Sequence, residues 1–419
     1  MTHRFLNKNP EPGTRNPVFE NPEPGIRNPE IEAIFPKLVE IRRDLHRHPE
    51  LSNREVRTSK IVAQFLTQLG LEVTTGVAHH GVVGILRGKQ PGPVVAVRAD
   101  MDALPIQEIR DVPYKSCVPG VMHACGHDVH TTIGLGTAEI LAKHTDQLGG
   151  TVKFLFQPAE EGAPVGEDGG AKMMIREGVL ENPSPEVIFG LHVYPPLEAG
   201  KIGYVAGPAM AGASRFEIKI KGKKAHGAYP HTGVDAVLVA SHTVVALQNI
   251  SSRMVNSQDP VVITVGSIHG GNRGNILADE VVLIGTVRAL SDTVMDETER
   301  RMRQIVTGLT SGFGAEYELG FVRQVPALVN DPELTERLLP TFERIVGKAN
   351  TIQTPPRMGA EDFAFFAAAR PSLFFSLGIA NAECGITAGI HTPEFDVDEN
   401  CLKIGVAAMA GLVLDFGVL

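Results

Sequence analysis

Apolar positions recur at helical spacing from residue 31 to about residue 47 and stop before Pro49, because the residue ahead of a proline is pushed out of the α region. A second helix is predicted to open at Ser52-Asn-Arg-Glu55, which has the form of a capping box. Val56, Ile61, Val62, Phe65, Leu66 and Leu69 then make one stripe, with Gly70 suited to the C-terminal cap. Four later runs, at 94–97, 152–156, 187–191 and 373–377, are of strand length and apolar almost throughout. Such runs suit strands covered on both faces, as in a parallel sheet layered by helices. A helical stretch at 131–143 lies between two of them. The expected class is α/β, with a mostly parallel sheet flanked by helices.

The middle of the chain has a different rhythm. An alternating strand at 215–221 is followed by a helix at 234–254 and strands at 260–267 and 280–290. A helix at 293–309 and a strand at 316–322 complete the order β-α-β-β-α-β, a ferredoxin-like α+β unit. The expected organisation is therefore a discontinuous domain, 31–212 and 326–419, with a lid domain at 213–325 inserted in it. Gly207-Pro208 and the stretch around Pro326 are the expected hinges. Ahead of all this, Asn-Pro-Glu-Pro-Gly-Thr-Arg-Asn-Pro at 9–17 recurs almost unchanged at 21–29. Residues 1–30 therefore read as an extended or disordered arm.

Composition narrows the function. A length of 419 residues with 43% apolar and 21% charged residues suits a globular chain with more than one domain. The net charge of −9 and the absence of a long basic run argue against a nucleic-acid partner. The N-terminus has no apolar stretch that suits a signal peptide or membrane span. The four cysteines, Cys117, Cys125, Cys384 and Cys401, show no disulfide spacing, so the expected location is the cytoplasm.

Ligands of open α/β sheets bind beyond the carboxyl ends of the strands, and there the candidate chemistry collects. Asp100 and Asp102 follow the first buried run, Glu160 and Glu161 the second, and His192 the third. A Gly-rich loop after the fourth reaches His391, and Cys125 and His127 precede the helix at 131–143. Cys125, His127, Glu161, His192 and His391 offer a thiolate, three imidazoles and a carboxylate, a set suited to zinc or a similar divalent ion. Five ligands exceed what one open catalytic site needs, but they suit two ions sharing the polarisable sulfur of Cys125. Neighbouring residues near a strand end point in opposite directions. Glu161 can then bind metal while Glu160 faces the attacking water as general base and acid.

Each of these residues also has a plainer reading. Cys125 alone would be a core thiol, Glu160-Glu161 a solvated turn, and His192 a satisfied core histidine. Asp100 would approach a metal or only turn the chain, and Asp128 would cap the following helix. His46, His48 and His130 read as structural or supporting.

Taken in order, the motifs resemble those of the M20 metallopeptidase/amidohydrolase family, within it the aminoacylases, hippurate hydrolases and auxin-conjugate hydrolases. They include Arg98-Ala-Asp-Met-Asp-Ala-Leu-Pro105, Met122-His-Ala-Cys-Gly-His-Asp128, Phe156-Gln-Pro-Ala-Glu-Glu-Gly162, Gly222-Lys-Lys-Ala-His-Gly227, Gly359-Ala-Glu-Asp-Phe363 and His391-Thr-Pro-Glu394. The resemblance covers about residue 31 to the end. It implies two divalent ions (Mn, Zn, Co or Ni) held by Cys125, His127, Glu161, His192 and His391, with Cys125 bridging. It implies Glu160 as general base and acid, and Asp102 orienting a ligand imidazole. In the lid, His226 matches an oxyanion-stabilising histidine that often serves the partner subunit, and Asn275 and Arg288 match substrate-binding positions. Arg288 and Asn275 would otherwise be a strand charge and a turn residue.

The expected activity is hydrolysis of small N-acyl amino acids by an activated hydroxide, with lid closure bringing His226, Asn275 and Arg288 over the substrate. The alternatives are an exopeptidase acting on dipeptides and a metal-dependent binding protein without turnover. A homodimer is expected, because the lid presents a sheet edge to a second copy. The N-terminal repeat is a departure from the family pattern.

Overall fold

The computed structural model describes Pro29 to Val418, so all of the repeat but its last residue lies outside the described residues. The described chain forms two compact units. The first comprises residues up to Tyr204 together with Asp331–Thr354 and Arg370–Leu419; the second comprises Val205–Asn330 and Pro355–Ala369.

The chain enters the first unit through α1 (Pro29–Arg47), α2 (Val56–Gln68), β1 (Glu72–Val77), β2 (Gly81–Arg87) and β3 (Gln90–Asp100). It continues with α3 (His127–Lys143), β4 (Gly149–Gln157), α4 (Gly170–Arg176), β5 (Val187–Glu198) and β6 (Ile202–Tyr204). The second unit contains β7 (Gly207–Met210), β8 (Gly212–Lys221), α5 (Ala236–Asn249), β9 (Val261–Gly270), β10 (Glu280–Ala289), α6 (Asp292–Phe313), β11 (Glu316–Val325) and β12 (Leu328–Asn330). The chain then returns to the first unit with α7 (Pro332–Val346) and β13 (Thr351–Gln353), adds α8 (Ala364–Ala369) to the second, and closes the first with β14 (Ser372–Ala380) and α9 (Cys401–Val413).

The four apolar runs become β3, β4, β5 and β14, adjacent and parallel at the centre of an eight-stranded sheet ordered β1-β2-β4-β3-β5-β14-β6-β13. The β1–β2 hairpin adds antiparallel strands at one edge. Helix α3 is buried along almost its whole length and packs on β3, β4 and β5 and against α1 and α9. Phe154, Phe156, Phe189, Phe342 and Phe375 fill the core. Fully burying side chains of this size contributes about 1.5–3 kcal/mol each.

In the second unit, β8, α5, β9, β10, α6 and β11 form the antiparallel ferredoxin-like sheet, ordered β11-β8-β10-β9, with a separate core under its two helices. The helix expected over 234–254 ends at Asn249, and residues 250–254 wind into a π-turn. The unit is wider than 213–325. The expected hinge segments pair with each other as β7 and β12. Residues 355–369 also belong here rather than with the sheet domain. Backbone hydrogen bonds hold them: Ala211 N–H donates to the carbonyls of Arg357 (2.9 Å) and Gly359 (3.0 Å), and Arg357 N–H to that of Ala209 (2.9 Å). No helix among the described residues is long and apolar enough to cross a membrane.

Candidate metal centre

Register brings the site together. Asp100 pairs with Gln157 across β3 and β4, and Val97 pairs with Phe189 across β3 and β5. Asp100 and His192 each lie three residues beyond that second pair, and Glu160 lies three beyond Gln157. Cys125 and His127 arrive at the same sheet end on the loop that opens α3. Gly126 between them has φ 84°, and a Cβ there would sit 2.5 Å from Val193 Cγ2, so glycine is required on both counts. His391 comes from the segment after β14. It is itself left-handed (φ 62°), and its N–H donates to Ala124 O at 2.7 Å, which lays it across Cys125.

The side chains meet around the Cys125 sulfur. His192 Nε2 is 3.3 Å from Sγ and His391 Nε2 is 3.2 Å from it, while His391 Nε2 also lies 3.2 Å from Glu161 Oε1. Donor atoms of Cys125, His127 and His192 lie within 4.8 Å of one another, as do those of Cys125, Glu161 and His391. These two triads share only the sulfur. Glu160 and Glu161 make a further such group with His127, and Glu160 Oε2 is 3.9 Å from His127 Nε2.

Hydrogen bonds set the tautomers. His127 Nδ1 donates to Asp102 Oδ1 at 3.1 Å and His192 Nδ1 to Val193 O at 2.7 Å, which turns each Nε2 toward the group. Glu161 Oε1 is buried with His391 Nε2 as its neighbour, and His127 Nε2 is buried and makes no hydrogen bond. Buried polar atoms are rarely left so, and with the mixed sulfur, nitrogen and oxygen donors they fit divalent cations. The charges agree. Burial alone would lower the His127 pKa, but Asp100 and Asp102 outweigh it and push it well up. Burial pushes the Cys125 thiol up, and burial together with His130 pushes His192 down.

A ring of supporting contacts surrounds the donors, and sequence reasoning reached it only in part. Asp102 also accepts the Ser52 hydroxyl (2.7 Å) and the Glu161 N–H (3.0 Å). Ser52 therefore does not cap α2; the free amides of Arg57 and Thr58 are taken by the Glu50 carboxylate. Asp100 accepts from His130 Nδ1 (2.6 Å) and Arg98 Nη1 (2.5 Å), and His130 Nε2 accepts the Val193 N–H (2.9 Å) beside His192. Asp128 does not cap α3 through its side chain. It pairs with the buried Arg42 at 2.9 Å and with His46 Nδ1 at 2.8 Å. A buried Arg inside the strand run at 94–100 was the readable signal for the Asp100 cluster, since such a charge needs a buried partner.

Residues 96–415 match the family described as peptidase family M20/M25/M40. The chain belongs to this family. It is, by that membership, a metal-dependent amidohydrolase. It is 39% identical over 389 residues to thermostable carboxypeptidase 2 of Saccharolobus solfataricus, covering 92% of this chain and 97% of that one. It is 40% identical over 382 residues to the IAA-amino acid hydrolase ILR1-like 4 of Arabidopsis thaliana, covering 90% and 85%. The solved YXEP protein of Bacillus subtilis, described as a dinuclear metal binding peptidase of the M20 family, superposes with a TM-score of 0.79 at 33% identity, covering 93% of this chain and 100% of that one.

The lid residues separate into two places within the second unit. His226 forms a bridge with Ile276, and Gly227 N–H donates to Asn275 O at 2.8 Å, so His226 and Asn275 lie together. Both lie beyond the Lys221–Glu280 pair of the sheet. Arg288 pairs with Ala213 at the other end of the same ladder. Eight residues of strand, about 27 Å, separate the two pairs. Within one copy of the sheet, the Lys221–Glu280 pair and Arg288 thus mark opposite ends of the ladder.

Proposed function

We propose that the chain hydrolyses the amide bond of small N-acyl amino acids, releasing a carboxylic acid and an amino acid. The observation that carries this reading is the pair of donor triads sharing the Cys125 sulfur, with the Glu160 carboxyl at their side. Cys125, His127, Glu161, His192 and His391 would hold two divalent cations, which when bound acidify water and polarise the substrate carbonyl. Asp102 keeps the His127 ring in the tautomer that directs Nε2 inward. Glu160 takes the proton from the attacking water and passes it to the departing amine.

Arg288 supports an amino-acid product. It is half-buried in β10, and among the described residues its guanidinium makes no ion pair or side-chain hydrogen bond. A planar fork of this kind suits a free carboxylate. Asn275 and Arg288 would then bind the substrate, and His226 would be contributed by the partner subunit. His226 then stabilises the oxyanion. The name of the Arabidopsis relative agrees with an acyl-amino acid, and that of the Saccharolobus relative with a peptide.

Chelated protein reloaded with Mn, Zn, Co or Ni tests this against a panel of N-acetyl and N-benzoyl amino acids and dipeptides. Metal-dependent release of amino acid from the acyl substrates is expected. Turnover of dipeptides alone would move the chain to the exopeptidases, and metal uptake without turnover of anything would make it a binding protein.

A further inference from the structure

Glu160 and Glu161 leave β4 through a turn whose preceding residue, Ala159, sits in the left-handed region (φ 53°). A residue with a Cβ stays there only when its surroundings hold it. The hold comes from another part of the chain. Glu55, fully buried at the start of α2, accepts the Ala159 N–H at 2.9 Å and the Asn53 N–H at 3.0 Å through the same oxygen, Oε1. Asn53 is left-handed as well (φ 60°), and its side-chain amide donates to Asp168 O at 2.9 Å. Ser52, in the same turn, holds Asp102. The four residues 52–55 therefore grip the chain on both sides of the glutamate pair.

We propose that Glu55 is a positioning residue for the reaction: its carboxyl clamps the Ala159 amide and so sets the direction in which Glu160 and Glu161 leave the sheet. The proposal rests on the roles given to those two residues above. Glu55 itself touches none of the donor atoms. Its carboxyl is not spent on ending α2, since Glu50 takes the exposed amides there and Glu55 makes no side-chain cap. Its other oxygen, Oε2, is buried without a hydrogen-bond partner, so Oε1 makes all of its contacts. Burial and the nearby Asp102 charge push the carboxyl up to about 7. An uncharged group with the same acceptor is therefore a fair substitute.

Three variants test the clamp. Glu55→Gln keeps an acceptor at the Oε1 position, Glu55→Asp withdraws it by one methylene, and Glu55→Ala removes it. Glu55→Gln is expected to stay within about threefold of the parent kcat. Glu55→Asp and Glu55→Ala are expected to lose about 100-fold in kcat with KM little changed, the scale of loss for a catalytic group displaced by about 1 Å. Hydrogen exchange supplies a second readout: amides at 159–162 should exchange faster in the Asp and Ala variants and not in Gln, while those of the central strands stay protected. The proposal is overturned if Gln is as damaged as Ala. It is equally overturned if Asp and Ala keep the parent kcat and exchange, or if exchange rises uniformly through the sheet. Should Glu55→Ala fail to fold, the Gln and Asp contrast decides. Should the parent hydrolyse no acyl amino acid, the exchange comparison still judges the clamp separately from the assigned reaction.

Discussion

Asp102 accepts from Ser52, from the Glu161 backbone and from the His127 ring, three contacts from three distant segments. Asp102, Ser52 and His127 are buried, where a hydrogen bond is stronger and an unpaired group costlier. Glu160 stands apart from that set. It lies beside His127 but outside the two triads that share Cys125. Removing its carboxyl should therefore spare metal binding and stop proton transfer. Glu160→Ala is expected to bind two metal equivalents per chain, read by elemental analysis, while kcat falls by about 10³-fold or more. A variant that loses metal in step with activity would make Glu160 a ligand instead.

At the scale of elements, the two edges of the ferredoxin-like sheet differ. Strand β11 carries Glu316, Glu318 and Arg323, with Glu318 paired to Lys221 and Arg323 to Asp296. Strand β9 carries no charged Lys, Arg, Asp or Glu, and Val262 and Ile268 are exposed on it at 42% and 49%. Helix α5, packed beside it, exposes Val237, Leu238 and Val245. Charges on an edge discourage pairing with another chain, and a long uncharged edge invites it. The β9 edge is the one we expect a second copy to cover. Val262→Lys with Ile268→Lys should leave each unit folded, because both positions already face outward. By light scattering the double variant should be a monomer, and activity should fall with the dimer. A dimer of unchanged affinity would place the interface elsewhere.

For the whole molecule, His226 and Asn275 lie a sheet's length from Arg288, and the proposed function takes His226 from a second copy. Mixed variants test this. Glu160→Ala has a dead donor site but an intact His226; His226→Ala has the reverse. Random re-association of the two should create one complete site in each mixed dimer, and so restore about a quarter of the parent activity. No recovery on mixing would assign His226 to the site of its own chain.

Much of the fold was legible from residue order. The four apolar runs became the central parallel strands, and the switch to alternating strands and amphipathic helices marked the ferredoxin-like unit, because burial on two faces and on one face leave different periodicities. The donors were legible because strand ends in an α/β sheet share one edge. The β1–β2 hairpin and α9 were not singled out, since short or uniformly apolar segments carry little period of their own; α7 was missed although Leu334, Leu338, Phe342 and Ile345 recur on one face. Residues 355–369 changed units through backbone hydrogen bonds, which side-chain pattern does not record. Ser52 and Glu55 do not cap α2, and Glu50 takes its free amides instead, because a cap motif names residue types and not the distant acceptors that compete for them. Residue order alone therefore determined the class of the fold and the types of donor it gathers. Only the folded chain decided that two triads meet at one sulfur, that a carboxyl at 55 holds the amide at 159, and that His226 and Arg288 stand at opposite ends of one sheet, because these are distances set by register and packing between segments far apart in the chain.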